Sequence, residues 1–258
     1  MKIISLGLGV QSTALYLMSS LGKLDRADYA IFADPGAELP RTYEILDILN
    51  DWANENGGIP IVVTKKNLYK DLINKTNSFN DSWASIPAFS ENGTGMLRRQ
   101  CTKEYKITPI VQKIRELRGI AKRKHLPHTD LWLGISLDEI QRMKTSRISR
   151  ITYHYPLIDN RMTRSNCVSF FKSIGFPVPP KSSCVFCPYH SNSQWLDIKN
   201  NYNEAWACAV LVDESIRDSR DRGANEKLYL HRTGVPLTDV SFDDQQELFM
   251  CEEGFCGI

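Results

Sequence analysis

The sequence predicts an α/β fold, in which a doubly wound, mostly parallel sheet is followed by a cysteine-containing C-terminal extension. Two observations predict it: short apolar runs alternate with amphipathic segments along most of the chain, and glycines close several of the turns between them. This alternation is typical of parallel strands with helices on both faces of the sheet. A chain of 258 residues, of which 42% are hydrophobic, can also bury a full core.

Each element follows from its pattern of apolar residues. Five apolar or β-branched runs are predicted as strands: 2–6, 28–34, 59–64, 131–136 and 151–158. Four segments with helical spacing are predicted as helices: 12–22, 41–58, 102–119 and 164–175. The polar, turn-rich residues 67–95 are predicted to be irregular, with one short helix. We predict an α/β core over residues 1–160 and a helical, cysteine-rich region over residues 161–258 that completes the site.

The seven cysteines favour metal or redox chemistry over a disulfide framework. Their number is odd, their spacing is uneven, and the chain is too long to need disulfides for stability. We therefore predict a reducing, cytoplasmic compartment. No apolar stretch is long enough to cross a bilayer, so the sequence predicts no membrane partner.

The net charge of +2 hides a basic block in the middle of the chain. Residues 98–150 contain fourteen Lys or Arg against five Asp or Glu. The three cations at 122–124 are typical of a solvated loop, whereas the arginines beside the motifs described below suit phosphate or sulfate oxygens. An anionic substrate is therefore expected, and the block leaves nucleic acid open as a partner.

The opening sequence MKIISLGLGVQST is either a secretion signal or a phosphate-binding loop. Gln11, Ser12 and Thr13 interrupt the apolar stretch that a signal needs, and no small-residue cleavage site follows. A glycine-rich turn from a strand into a helix presents backbone N–H groups and the positive end of the helix dipole to an anion. We predict that Gly7 and Gly9 let a phosphate approach the backbone and that the Ser12 hydroxyl donates to it.

The end of the second predicted strand adds a motif. In FADPGAELPRT, Asp34 stands at the tip of the strand, Gly36 follows in the turn, and Thr42 leads into the next helix. Together with the loop, this segment resembles the sulfonucleotide (phosphoadenylyl-sulfate) reductase family of the adenine nucleotide alpha-hydrolase-like, or PP-loop, superfamily. Pro35 replaces the Thr that is usual in that turn. The resemblance implies a Rossmann-like fold that binds an adenine nucleotide.

The loop variant separates two branches of that superfamily. ATP-cleaving members typically carry Ser-Gly-Gly-x-Asp-Ser, whereas this chain has GLGVQS, which keeps Gly9 and Ser12 and places Gln11 where the acidic residue stands. Phosphoadenylyl-sulfate reductases often show Phe-Gly-Ile-Gln there, which is more similar. The resemblance therefore implies an adenylyl sulfate as the nucleotide, with ATP and Mg²⁺ as the alternative.

Further motifs extend the resemblance over most of the chain. GISLDEIQR matches the Gly-x-x-x-x-Glu-x-x-Arg form that follows the fourth strand in the family, and YPLID matches the segment after it. Arg142 and Arg147 are then candidate phosphate or sulfate contacts, and a surface helix with ordinary salt bridges is the alternative. The predicted nucleotide-binding residues are Ser5, Gly7, Gly9, Gln11, Ser12, Asp34, Gly36, Thr42, Gly134, Glu139, Arg142 and Arg147.

The cysteines carry the strongest chemical signal. Cys184 and Cys187 form a Cys-x-x-Cys-Pro motif, a spacing that lets two thiolates face one metal centre from a tight loop. Upstream, CTKEYKITP resembles the Cys-Cys-x-x-x-Lys-x-x-Pro segment of iron-sulfur sulfonucleotide reductases, with Cys101 as the first cysteine and Thr102 in place of the second. The resemblance implies a [4Fe-4S] cluster with Cys101, Cys184 and Cys187 as ligands.

The fourth ligand is open among the remaining cysteines. The candidates are Cys167, Cys208, Cys251 and Cys256. Cys167 and Cys208 lie on apolar faces of predicted helices, which is more typical of packed thiols. Zinc is the alternative metal, because three cysteines with His190 or His231 would complete a tetrahedral site.

The last residues, CEEGFCGI, give Cys256 a second candidate role. They resemble the terminal Glu-Cys-Gly-Leu/Ile-His segment of sulfonucleotide reductases, in which the cysteine attacks the sulfate sulfur. Phe255 replaces the Glu, and the final His is missing. Cys256 is therefore a candidate both as the catalytic nucleophile and as a metal ligand.

The sequence is compatible with three functions. The resemblance implies a phosphoadenylyl-sulfate reductase-like enzyme whose partners are an adenine nucleotide and a thiol reductant protein. An ATP pyrophosphatase-type sulfurtransferase that thiolates DNA or tRNA is the second, and a nucleotide-binding module without turnover is the third. Gln11 favours the first over the second, and the cysteine set disfavours the third.

Overall fold

The computed structural model describes residues 1–81, 85–91, 95–121, 124–219 and 226–242. The strands are Lys2–Leu6 (β1), Tyr29–Asp34 (β2), Ile61–Lys65 (β3), Phe89–Ser90 (β4), Thr129–Leu133 (β5), Ile151–His154 (β6) and Leu228–Tyr229 (β7). The α-helices are Val10–Ser20 (α1), Pro40–Asn56 (α2), Leu68–Ile73 (α3), Thr108–Leu117 (α4), Pro156–Asp159 (α5), Arg164–Ser173 (α6), Asn192–Asn201 (α7) and Asn203–Arg217 (α8). A π-helix spans Thr102–Ile107, and 3₁₀-helices span Leu137–Arg142 and Leu237–Asp239.

Five of the strands form a parallel sheet in the order β3-β2-β1-β5-β6. The central strand β1 aligns Ile4 with Ala30 of β2 on one side and with Trp132 of β5 on the other. Helices flank this sheet, as parallel pairing requires, because each crossover between parallel strands needs a long connection. The predicted α/β class with a parallel sheet is confirmed.

The chain divides into two compact units, each built from several segments. The sheet unit contains residues 1–33, 40–64 and 109–182, and the cysteine unit contains residues 34–39, 65–108 and 183–258. Both units take residues from each side of position 160. These units are grouped by compactness in space, so their bounds differ from the predicted boundary at residue 160, which follows chain order.

In the sheet unit, α1 packs against β1 and α6 over a large apolar core. Ile4, Leu15 and Phe171 are fully buried there. The hydroxyl of Tyr16 donates to the carbonyl oxygen of Ile59 across 2.7 Å, and burial raises the pKa of Tyr16 to about 12. Burying each large apolar side chain contributes about 1.5–3 kcal/mol, so this core holds the loops at the strand ends in place.

In the cysteine unit, α8 packs against α3, α7 and β7. Asp213 of α8 is buried and pairs with Arg217. Its two carboxylate oxygens accept from the backbone N–H groups of Leu230, at 2.8 Å, and Leu237, at 3.0 Å. Burial raises the pKa of Asp213. This carboxylate ties the segment after α8 to the helix.

The structure corrects two predicted elements. The strand predicted over 151–158 ends at His154, and Pro156 begins α5, because the fixed φ of proline suits the first turn of a helix. The helix predicted over 102–119 begins as a π-helix at Thr102 and continues as α4. The predicted short helix between residues 67 and 95 is α3. Within the described ranges, no helix has both the length and the apolar composition to cross a membrane.

Candidate functional site

The loop between β1 and α1 has the geometry of an anion site at a helix N-terminus. Leu8 has a φ of 58°, a left-handed conformation that a bulky residue rarely adopts. Gly9 is the N-cap residue of α1 and brings no side chain to cap the first turn. The Ser12 hydroxyl accepts from the Gly7 N–H at 3.1 Å and donates to the Gly9 carbonyl at 3.3 Å. Ser12 therefore closes the loop around the helix N-terminus, where backbone N–H groups attract anions.

Gly134 lies against this loop at the end of β5. A Cβ atom added to Gly134 would stand 2.6 Å from the backbone N and Cα of Ser12. Only a residue without a side chain allows this approach. The predicted site residues Gly134 and Ser12 are thus neighbours.

Gln11 connects the loop to the 3₁₀-helix over 137–142. Its Nε2 amide donates to Oε2 of Glu139 at 3.2 Å and lies 3.4 Å from the Ser136 hydroxyl. Nη1 of Arg142 donates to the other carboxylate oxygen of Glu139 at 2.6 Å. Burial raises the pKa of Glu139, and the Arg142 charge opposes that rise. Three predicted site residues from two motifs therefore form one network.

Three other predicted nucleotide contacts lie elsewhere in the sheet unit. Ser5 lies within β1, paired with Ile31 and Leu133. Thr42 is fully buried in α2, and its hydroxyl has no hydrogen-bond partner among the described residues. Arg147 is exposed. Their contact with a nucleotide stays a prediction.

The turn after β2 belongs to the cysteine unit. The Asp34 carboxylate accepts from the Gly36 N–H at 2.7 Å. Gly36 has a φ of 72°, and an added Cβ would stand 2.8 Å from the Lys66 carbonyl oxygen. The backbone here requires glycine. The buried Asp34 carboxylate is therefore fixed by its own turn.

The cysteine unit brings Cys101, Cys184 and Cys187 to one small cavity of about 40 Å³. Arg99 and Lys106 also line it, so two cations accompany the three thiols. No disulfide joins the described cysteines to one another. The thiolate is the form of cysteine that acts as nucleophile and as metal ligand.

Local hydrogen bonds hold each cysteine at the cavity. The Cys187 N–H donates to the Cys184 carbonyl at 3.0 Å, which makes the Cys-x-x-Cys segment a tight turn. Nε2 of His190 lies 2.9 Å from the same carbonyl oxygen, and the His190 ring packs edge-on against Trp195. The Cys101 N–H donates to the Ser85 carbonyl at 2.7 Å.

The π-helix explains why Lys106 shares the cavity with Cys101. In an α-helix, residues five apart point about 140° away from each other around the axis. A π-helix bonds residue i to residue i+5, so residues five apart lie closer to the same side of the axis. The apolar pattern of 102–119 predicts an ordinary helix, and no sequence signal marks the π-helical turn.

By residue type, the three cysteines around this cavity, Cys101, Cys184 and Cys187, suit a thiolate-bound metal or cluster. Among the residues that the structure describes, no group of three or more His, Cys, Asp or Glu is arranged to hold a metal ion. The two histidines considered for zinc have other contacts. His190 contacts the Cys184 carbonyl, and the ring nitrogens of His231 contact Thr233 at 2.8 Å and Asn192 at 3.1 Å.

The remaining cysteines differ in their surroundings. Cys167 is fully buried in the core of the sheet unit, and burial raises the pKa of its thiol to about 12. Cys208 is half-buried on α8. Both lie on packed helix faces, as predicted. Cys251 and Cys256 lie outside the described residues. The two roles predicted for Cys256, nucleophile and metal ligand, therefore stay predictions.

Comparison with known proteins does not assign a family. No protein-family model matches the chain. No curated protein sequence matches it significantly.

Proposed function

We propose that this chain is a phosphoadenylyl-sulfate reductase-like enzyme, which binds an adenine sulfonucleotide at the loop 7–12 and performs sulfur chemistry with its cysteines. One observation carries the proposal: Cys101, distant in sequence, lines the same cavity as Cys184 and Cys187. Two cations, Arg99 and Lys106, line this cavity together with the three thiols. The resemblance of both cysteine segments to the reductases supports the same function.

The contacts of Gln11 support the binding of a sulfonucleotide at this loop. Gln11 is neutral and bonds to Glu139, whose carboxylate is buried and paired with Arg142. Magnesium prefers carboxylate oxygens, and this carboxylate already has a cation beside it. A sulfonucleotide, which needs anion contacts more than a metal ion, therefore suits the loop better than ATP.

For the cofactor, we propose Cys101, Cys184 and Cys187 as three ligands of a [4Fe-4S] cluster, with zinc as the alternative. When bound, such a cluster supplies a centre whose potential depends on its charge and on nearby hydrogen bonds. Cys256 is the proposed fourth ligand or, alternatively, the nucleophile. Arg99 and Lys106 would balance part of the negative charge of the thiolates.

With Cys256 as the nucleophile, the proposed reaction is an attack of its thiolate on the sulfate sulfur of the sulfonucleotide. A sulfur–sulfur bond forms, the bond between sulfur and the phosphate oxygen breaks, and the adenylate leaves with that electron pair. A thiol reductant then attacks the cysteine sulfur of the thiosulfonate. Sulfite leaves, and a mixed disulfide remains between the protein and the reductant.

Anaerobic purification with assays of iron, sulfide and zinc tests the cofactor. We expect a brown protein that contains iron and sulfide, and Ser substitutions of Cys101, Cys184 or Cys187 that lose both. Cys208→Ser is the matched control, because Cys208 is half-buried on α8 and should retain the iron. Colourless protein with one zinc per chain would contradict the cluster and support zinc.

A sulfurtransferase acting on nucleic acid is the second candidate, and the exposed cations of the sheet unit favour it. Lys144, Arg147, Arg150 and Arg161 are all exposed. Titration with ATP and with adenosine 5′-phosphosulfate separates the two candidates. Tighter binding of the phosphosulfate supports the reductase, whereas pyrophosphate release from ATP in the presence of tRNA or DNA would support the sulfurtransferase.

A further inference from the structure

Glu38 contacts both chain segments that carry the cavity cysteines. Its backbone forms an antiparallel bridge with Cys184, beside a hydrogen bond of 2.8 Å from the Val185 N–H to the Ala37 carbonyl. Its carboxylate oxygen Oε1 lies 3.2 Å from Nζ of Lys106. Lys106 belongs to the π-helical turn that directly follows Cys101.

The burial of Glu38 restricts where the Lys106 ammonium group can lie. The Glu38 side chain is fully buried, with 0% of its surface exposed, whereas Lys106 keeps 29%. A buried carboxylate is costly without a cation, so the Lys106 ammonium group is held at Glu38. The Cys101 turn is thereby held against the strand-like segment that carries Cys184.

We propose that Glu38 is a positioning residue that sets the arrangement of Cys101, Cys184 and Cys187 around the cavity. It acts on Cys184 through the backbone bridge and on Cys101 through Lys106. The functional meaning of this role rests on the proposed cysteine centre. Without the Glu38 carboxylate, the two segments lose a shared contact, and the thiols become more accessible without unfolding of the unit.

Alkylation of each cysteine by iodoacetamide, followed by mass spectrometry on anaerobic, chelator-treated protein, tests this role. We expect Glu38→Gln to raise the alkylation rates of Cys101 and Cys184 by about tenfold, because local opening becomes easier. Cys208, which is half-buried on α8, reports on unfolding of the cysteine unit, and Cys167, fully buried in the sheet unit, reports on global unfolding. Both of these rates should stay unchanged.

Glu91→Gln is the matched control for removal of a glutamate charge. Glu91 also lies 3.2 Å from a lysine, Lys227, but the two side chains are 45% and 58% exposed. This variant should leave all alkylation rates unchanged. Lys106→Met should raise the Cys101 rate as Glu38→Gln does, and the double variant should add nothing, because both remove the same contact.

Unchanged rates at Cys101 and Cys184 in folded Glu38→Gln and Lys106→Met proteins would overturn the proposal. A rise that includes Cys208 or Cys167 in both variants would also overturn it, since the pair would then support the fold of the unit or of the whole chain. Reconstitution of the wild-type protein with iron and sulfide is the separate test of the cofactor. A wild type that takes up no iron contradicts the proposed cluster, while the alkylation comparison still decides the role of Glu38.

Discussion

The Nε2 amide of Gln11 donates to the Glu139 carboxylate across 3.2 Å and so joins the first loop of the chain to the 3₁₀-helix that follows β5. The two residues are far apart in sequence and belong to different motifs. Arg142 holds the other oxygen of the same carboxylate at 2.6 Å. Glu139 is therefore the centre of the network that orients the loop.

Removing the Glu139 carboxylate should weaken nucleotide binding without unfolding the protein. Glu139→Ala leaves the Gln11 amide and the Arg142 guanidinium group without their shared acceptor, and a lost hydrogen bond to a charged group costs about 1.5–3 kcal/mol. We expect affinity for adenosine 5′-phosphosulfate, measured by calorimetry, to fall about tenfold or more. Glu116→Ala, which removes an exposed partner of Lys113, is the control and should leave affinity unchanged.

Two glycines at the loop should respond differently to alanine. Gly134→Ala places a Cβ 2.6 Å from the Ser12 backbone, so we expect it to lower the free energy of unfolding by about 1–3 kcal/mol. Gly9 has an extended backbone with φ −90°, and an added Cβ would be 3.9 Å from Ser182. Gly9→Ala should therefore keep its stability but bind nucleotide more weakly, because the methyl group blocks approach to the backbone. Urea unfolding and nucleotide titration of both variants check this, and equal stability of the two would contradict the close contact.

Asp213→Asn should destabilise the cysteine unit. An amide offers one acceptor oxygen, whereas Asp213 accepts from the N–H groups of Leu230 and Leu237 with different oxygens. The amide NH₂ would face one of these donors, so we expect a loss of about 2–4 kcal/mol in the free energy of unfolding. Asp197→Asn is the control, since Asp197 is exposed and accepts a hydrogen bond from the side-chain amide of Asn201 one turn away. Equal urea midpoints for the two variants would show that the Asp213 carboxylate is dispensable.

The buried His231 should make stability fall at acid pH. Burial lowers its pKa from 6.5 to about 4. Between these values the unfolded chain binds a proton that the folded protein does not, so the free energy of unfolding decreases as the pH falls from 6.5 towards 4. The full effect is about 3 kcal/mol. Urea unfolding at several pH values measures it, and His231→Gln should have a flatter profile; an unchanged slope would exclude His231 as the cause.

The apolar pattern of the sequence determined most of the sheet and its helices. Strand β1 spans the predicted residues 2–6, and β2 and β3 lie within one or two residues of their predicted bounds. Periodicity predicts such elements because each strand or helix buries its apolar side chains. The end of the strand predicted over 151–158 was wrong, since Pro156 starts a helix there.

The sequence by itself also determined which side chains are chemically suited to a site, because thiols, glycines and paired charges keep their chemistry wherever they lie. Only the tertiary structure decided which of them meet. The pairing of Gln11 with Glu139, the approach of Gly134 to Ser12 and the cavity shared by Cys101 and Cys184 all join residues that are distant in the chain. The π-helical turn and the buried Glu38–Lys106 pair likewise depend on packing, since no local pattern specifies which charges are brought together when a chain buries its core.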